Sequence, residues 1–156
     1  MKNDYLQKWA LIAEIVGGFA VVLTLIFLIL ETRENTNAIK AQTYQMLTAE
    51  LNEVRREITS LNVPLIMADS GGNGIEALSR SDQSRVIISF QALWSVYETA
   101  FYSFQRGTLG DDEWERYSLA ICRTYFSSIG MWDREGPDIS RNITPLFRDY
   151  VEGSCE

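Results

Sequence analysis

The stretch that decides the fold is WALIAEIVGGFAVVLTLIFLIL, which runs from Trp9 to Leu30. From Leu11 onward its only ionisable residue is Glu14. A helix over Leu11–Leu30 is roughly 30 Å long at ~1.5 Å per residue, which matches the hydrocarbon core of a bilayer. The sequence therefore predicts a transmembrane helix at 9–30, preceded by a polar tail at 1–8 and followed by a soluble helical domain at 31–156.

The composition of this stretch favours insertion into lipid. About fourteen of its side chains are Leu, Ile, Val or Phe, and together they contribute on the order of −6 kcal/mol on an insertion scale. One carboxyl costs about +3 kcal/mol at most, so insertion is favoured. The apolar run is too long for the core of a signal peptide, and no small-residue cleavage site follows it. We therefore expect an uncleaved span with the lipid bilayer as its surroundings.

Small residues recur along this span at spacings of three and four, and so share one helix face: Ala10, Ala13, Gly17, Ala20 and Thr24. A small-xxx-small pair such as Ala13 and Gly17 lets a second helix approach closely. This face predicts a homo-oligomer, with another membrane protein as the other candidate partner. Glu14 lies beside the face, and it has three open interpretations: a hydrogen bond across a helix interface, a carboxyl that reaches the headgroups, or an acid that handles ions.

Composition excludes several functional classes. The net charge is −7 and no run of Lys or Arg occurs, so nucleic-acid binding is not expected. The chain has no histidine, which removes His-dependent triads, most zinc enzymes and Glu-x-x-His di-iron sites. Neither GxSxG nor SxxK is present. We therefore expect no enzyme, no cofactor and no metal site.

The helix is predicted to continue beyond the span, because no Pro or Gly follows Leu30 before Pro64. Apolar residues then repeat at spacings of three and four, namely Tyr44, Leu47, Leu51, Val54, Ile58 and Leu61. The preferred interpretation is an amphipathic helix that packs on its own domain. The alternative is a coiled-coil seam in which Leu47, Leu51, Val54 and Ile58 contact a second copy.

The remaining sequence reads as short helices joined by turns. Pro64–Asp69 is predicted as a short helix, and the glycine-rich Ser70–Gly74 as a loop. Ser79 and Asp82 resemble a capping box that opens a long aromatic helix, which Gly107 closes.

Acidic residues from Asp111 open the next helix, which ends near Gly130. An irregular stretch from Trp132 to Ser140 follows. The last helix begins near Arg141 and has Pro145 in its first turn. No alternating strand pattern appears, so the fold class is all-α: a transmembrane helix that continues into a long amphipathic helix, then a small antiparallel helical bundle.

Two further features of the bundle carry polar or reactive groups. Glu98 lies on the aromatic helix and is interpreted first as a structural acid that accepts a hydrogen bond from Arg or Tyr, and otherwise as part of a polar network. Cys122 is expected to be a small buried hydrophobe and Cys155 lies in the tail. Their pairing stays open, because a disulfide requires an oxidising compartment.

The opening sequence resembles a family pattern. Residues Glu14–Thr36 match E-x-x-G-x-x-A-V-V-x-x-L-x-[YF]-L-x-x-[QE]-x-R-x-N-T, the start of a widespread uncharacterised group of small bacterial membrane proteins. Later residues match as well: Tyr97, Glu98, Gly107, Leu109, Asp112 and Trp114. The resemblance implies a single-pass inner-membrane protein with a cytoplasmic helical domain, and it implies no activity. Lys2 and Lys8, which precede the span, depart from that family's charge pattern.

Together these features predict a membrane-anchored protein that self-associates and acts as a scaffold or partner-binding module. The alternative is a homo-oligomeric ion channel with Glu14 lining the pore. A third interpretation, a tethered sensor that binds a small ligand on the helix of Trp94, Tyr97 and Phe101, requires a cavity there.

Overall fold

The structure, a computed structural model, describes residues 2–69, 74–128, 131–132 and 139–155, excepting the side chains of 2–8, 10–13 and 69. These ranges contain five α-helices, two short 3₁₀ helices and no β-strand. The chain divides into an N-terminal unit, Met1–Ile39, and a second unit, Lys40–Glu156, which is called the helical domain below. The all-α prediction is confirmed.

Helix α1, Lys2–Ser60, is continuous over 59 residues. It ends where the sequence predicts an end. Asn62 adopts a left-handed conformation with φ 56°, and its amide donates to the carbonyl of Thr59 at 3.0 Å. Pro64 then starts well in the first turn of a new helix but would interrupt an existing one. Helix α2 accordingly spans Val63–Asp69.

The N-terminal unit exposes its apolar side chains on every side. Each large apolar residue from Ile15 to Leu30 is exposed over half its surface or more. This part of α1 has a mean hydropathy of 2.4 over its most apolar 18 residues, and none of that window is buried. It is long and apolar enough to cross a membrane.

The helical domain is built around α3, Arg80–Gln105. This helix packs against α2, against α4 at Asp111–Ser128 and against a 3₁₀ helix at Ile139–Asn142, while α4 also contacts α5 at Pro145–Ser154. Trp94 is fully buried near the centre. Its ring lies 4.9 Å from that of Trp132 and 6.1 Å from that of Phe147, so aromatic contacts join three separate segments.

Local signals set the helix ends in this domain. The Ser79 hydroxyl accepts from the amide of Asp82 at 3.2 Å and donates to its carboxylate at 2.7 Å, which confirms the cap. Gly107 has φ 72° beyond the end of α3, a conformation that glycine adopts without strain. Pro145 occupies the first turn of α5.

Two predicted irregular stretches fall partly outside the described residues. Of the Ser70–Gly74 loop, only Gly74 is described, with φ 76°. Of the stretch from Trp132 to Ser140, residues 133–138 lie outside the description. The 3₁₀ helix Ile75–Ala77 was not predicted from the sequence. The last helix was predicted to begin near Arg141, but Arg141 belongs to the 3₁₀ helix Ile139–Asn142 and α5 begins at Pro145, where the fixed φ of proline suits a first turn.

A disulfide joins Cys122 on α4 to Cys155, the residue after α5, with 5.1 Å between their Cα atoms. The expectation that Cys122 is a small buried hydrophobe was therefore wrong, because it is partly exposed and joined to Cys155, and the pairing that the sequence left open is formed. Cys155, predicted to lie in a tail, is buried in the core. The bond ties the C-terminal helix to the bundle.

Candidate functional site

The small-residue face of α1 is open in this structure. A Cβ atom added at Gly17 or Gly18 would meet nothing within 4 Å, so room exists beside the backbone for another helix. The Thr24 hydroxyl donates to the carbonyl of Ala20 at 2.9 Å. Its polar group is thus satisfied inside α1. The side chain of Ala13, the other member of the predicted pair, lies outside the description.

Glu14 is exposed on the same helix. Within the described residues, its carboxylate forms no ion pair or hydrogen bond. A carboxyl without a partner near the start of the apolar stretch of α1 is consistent with each of its three interpretations.

The seam along the second half of α1 packs inside the helical domain. Leu47 and Leu51 are buried, and Val54 and Ile58 are partly buried against the same core. This packing is that of the preferred interpretation, an amphipathic helix that packs on its own domain. Because the chain's own helices cover Leu47 and Leu51, these two side chains are not available to a second copy while the domain stays folded.

Tyr117 fixes this part of α1 to α4. Burial raises the pKa of its phenol, while a hydrogen bond with the Thr48 side chain acts in the opposite direction. The neutral hydroxyl of Tyr117 therefore links the two helices.

Glu98 has a structural partner different from those predicted. Its Oε1 atom accepts the backbone amide of Thr144, the N-cap residue of α5, at 2.7 Å. The Thr144 hydroxyl in turn lies 2.6 Å from the Tyr102 hydroxyl. The expected Arg or Tyr donor was wrong, but an acid beside the amide-rich start of a helix is electrostatically well placed.

The aromatic helix forms core and holds no ligand cage at the predicted residues. Trp94, Tyr97 and Phe101 are all buried, and the ring of Phe101 lies 5.3 Å from that of Phe147. The tethered-sensor interpretation requires a cavity at these rings, and the chain's own side chains fill that space.

A polar network that the sequence analysis missed lies at the edge of this core. Trp132 Nε1 and Arg148 Nε both donate to Glu152 Oε1, each at 2.9 Å. These hydrogen bonds, that of Trp132 first, lower the pKa of Glu152. The i,i+4 spacing of Arg148 and Glu152 on one helix is a signal that predicts half of the network.

Within the described residues, no three Asp, Glu or Cys side chains are grouped as metal ligands. The expectation that the chain is not an enzyme stays a prediction.

Comparison with known proteins gives no relative. No protein-family model matches the sequence, and no curated protein or solved structure is significantly similar to it. The resemblance of Glu14–Thr36 to a family pattern therefore stays a prediction.

Proposed function

We propose that this chain is a single-pass membrane protein that self-associates through α1 and presents its helical domain as a scaffold for a partner. The observation that carries the proposal is the exposed apolar surface from Ile15 to Leu30. A helix that is apolar on all sides needs a protein core or a bilayer around it. The core of the helical domain is built from residues beyond Lys40 and does not include this segment. Lipid is therefore the environment that suits the segment.

Self-association is supported by the open face at Gly17, Ala20 and Thr24. Between lipid-embedded helices, close packing and satisfied polar groups replace the hydrophobic effect as the source of affinity. Gly17 supplies the close approach on this face, and Thr24 brings no unsatisfied donor to the interface.

The disulfide supports a helical domain on the extracytoplasmic side of the membrane, whereas the resemblance implies a cytoplasmic domain. Disulfides persist in oxidising compartments and are rare where thiols are kept reduced. The Cys122–Cys155 bond therefore favours a helical domain on the extracytoplasmic side, with Lys2 and Lys8 on the cytoplasmic side.

A pair of matched substitutions tests self-association. Gly17→Leu adds bulk to the small-residue face, whereas Gly18→Leu makes the same change about 100° around the helix. We expect Gly17→Leu to weaken the oligomer by about tenfold or more, equivalent to about 1.4 kcal/mol, and Gly18→Leu to have little effect. Mass from size exclusion with light scattering in detergent measures this. An unchanged mass for Gly17→Leu would contradict the proposal.

Trapping thiols in acid-quenched cells tests the side of the membrane. If the domain is extracytoplasmic, a maleimide reagent labels neither cysteine until a reductant is added. Labelling of both without reductant would place the domain in the cytoplasm. A Cys122→Ser variant supplies the control, because its remaining thiol is free in either compartment.

The channel alternative rests on Glu14, an exposed acid in the apolar stretch of α1. A ring of acids selects cations, so conductance across planar bilayers should fall in Glu14→Gln. The absence of any conductance, or one that is indifferent to this change, removes the alternative and leaves the scaffold.

A further inference from the structure

We infer that the helical domain contains a binding site for a small, neutral, mostly apolar molecule with one hydrogen-bonding oxygen. The site is a cavity of about 240 Å³ between the end of α1 and helices α2, α3 and α4. It lies wholly within Lys40–Glu156, so it is independent of self-association through the span. Its described lining is Ile58, Val63, Pro64, Met67, Ser89, Phe90, Leu93, Thr124 and Ser127.

Ser89 is the unusual residue of this lining. It is 4% exposed, and its Oγ atom has no hydrogen-bond partner. Serine and threonine within helices commonly bond the carbonyl one turn back, and α3 has two that do: Ser84 to Arg80 at 3.0 Å and Thr99 to Ser95 at 2.9 Å. A buried hydroxyl that lacks this bond costs free energy and requires a reason.

The other hydroxyls around the cavity are already engaged. Thr124 Oγ1 lies 3.2 Å from the Tyr97 hydroxyl, and the Ser127 hydroxyl donates to the carbonyl of Thr124 at 2.9 Å. Ser89 is therefore the hydroxyl of the described lining that is left to bind a guest. As a hydroxyl it can donate to a carbonyl or accept from an alcohol.

The lining also sets the charge and size of the guest. None of its described residues is ionisable, and an unpaired charge in apolar surroundings carries a large desolvation cost. The volume is below the roughly 300–1,000 Å³ of pockets for drug-sized ligands. The guest is thus a neutral molecule smaller than a drug-sized ligand, and the flexible thioether of Met67 adapts to its shape.

Three probes of similar size separate these requirements: benzyl alcohol, toluene and benzoate. They are titrated into the full-length protein in lipid nanodiscs, with the ¹³C-labelled methyl of Met67 as a reporter inside the cavity. We expect a saturable shift with benzyl alcohol and with toluene, and none with benzoate. Partition of the probes into lipid is the same for all variants and cancels in their comparison.

Two serine variants on the same helix then isolate the hydroxyl. Ser89→Ala should weaken benzyl alcohol about fivefold, as expected for one lost hydrogen bond, and leave toluene unchanged. Ser84→Ala removes an exposed, already bonded hydroxyl and should change neither. Because Ser89→Ala removes an unpartnered group, the ligand-free variant should melt at the same temperature as the parent or higher.

The following results would overturn the inference. If no probe gives a saturable Met67 shift, or if benzyl alcohol binds Ser89→Ala as well as the parent, the cavity is not this site. A lower melting temperature for ligand-free Ser89→Ala would show that the serine is structural. Each of these outcomes leaves self-association through the span untouched.

Discussion

The two parts of α1 bury their apolar side chains in opposite ways. Ile29, in the N-terminal unit, is 56% exposed, whereas Leu47, in the helical domain, is 0% exposed. The helix does not break between them. One continuous helix therefore carries apolar side chains that are exposed in its first part and buried in its second. The two parts differ in their side chains and not in their backbone conformation.

The difference follows from the pattern of the residues. From Tyr44 to Leu61 the apolar positions form one stripe, and the opposite face is polar, so the chain's own helices can cover the stripe. From Ile15 to Leu30 the residues are apolar on all faces, and a small domain cannot surround such a helix. A periodic apolar stripe thus predicts packing against the chain's own helices. A helix that is apolar on all faces predicts lipid around it instead of water.

The largest test of this contrast uses the same substitution in both parts. Leu47→Ala leaves a cavity in the core and should lower the free energy of unfolding by about 2–5 kcal/mol. Leu28→Ala, at a position that is 50% exposed, should leave domain unfolding unchanged and cost about 0.5 kcal/mol of insertion. Near-ultraviolet circular dichroism of the packed aromatic side chains, Trp94 among them, follows the melt. Equal losses would show that the two parts do not differ in this way.

The disulfide sharpens the contrast because it encloses only residues of the helical domain. It joins positions separated by 33 in sequence, and replacing both Cys122 and Cys155 with serine should cost about 2–4 kcal/mol of domain stability. The oligomer that we propose to form through Gly17 should persist. Denaturant melts and light scattering on the same variant measure the two effects, and loss of the oligomer would show that they are coupled.

Substitutions at Glu98 test a smaller contribution to domain stability, that of the hydrogen bond at the start of α5. Glu98→Ala removes the acceptor of the Thr144 amide and should cost about 1–2 kcal/mol. Glu98→Gln keeps an acceptor oxygen and should recover about half of that loss. The thermal melts of the two variants check this order. If both variants melt like the parent, the carboxylate does not stabilise the helix start.

Most of the fold could be predicted because its signals are local. Ser79, Gly107 and Pro145 each mark a helix end by their own chemistry, independent of distant residues. The apolar stretch of α1 can likewise be recognised from its residue composition alone. The 3₁₀ helix Ile75–Ala77 is too short for a periodic pattern, and so gave no signal.

The contacts that define the candidate sites could not be predicted because they join distant positions. Glu98 meets Thr144 across 46 residues, and the two cysteines meet only because α4 packs on α5. Ser89 looks like any serine in a helix. Its role depends on a cavity formed by four helices, which no single segment encodes.

The smallest expected effect is a dependence of domain stability on acid, and it should be absent from the span. The pKa of Glu152 in the folded chain is lowered below its ordinary value of 4.5. Its contribution is therefore complete above that value and is lost as the pH falls through the lower, folded-state pKa. Since the side chain is 39% exposed, the contribution is about 0.2–1 kcal/mol.

Melts of the parent and of Glu152→Gln between neutral and acidic pH measure this contribution. The parent should be more stable at neutral pH, and the difference should vanish once the carboxyl is protonated, because both side chains are then uncharged. A difference that stays constant with pH would assign the effect to shape and hydrogen bonding with Trp132, and not to the charge.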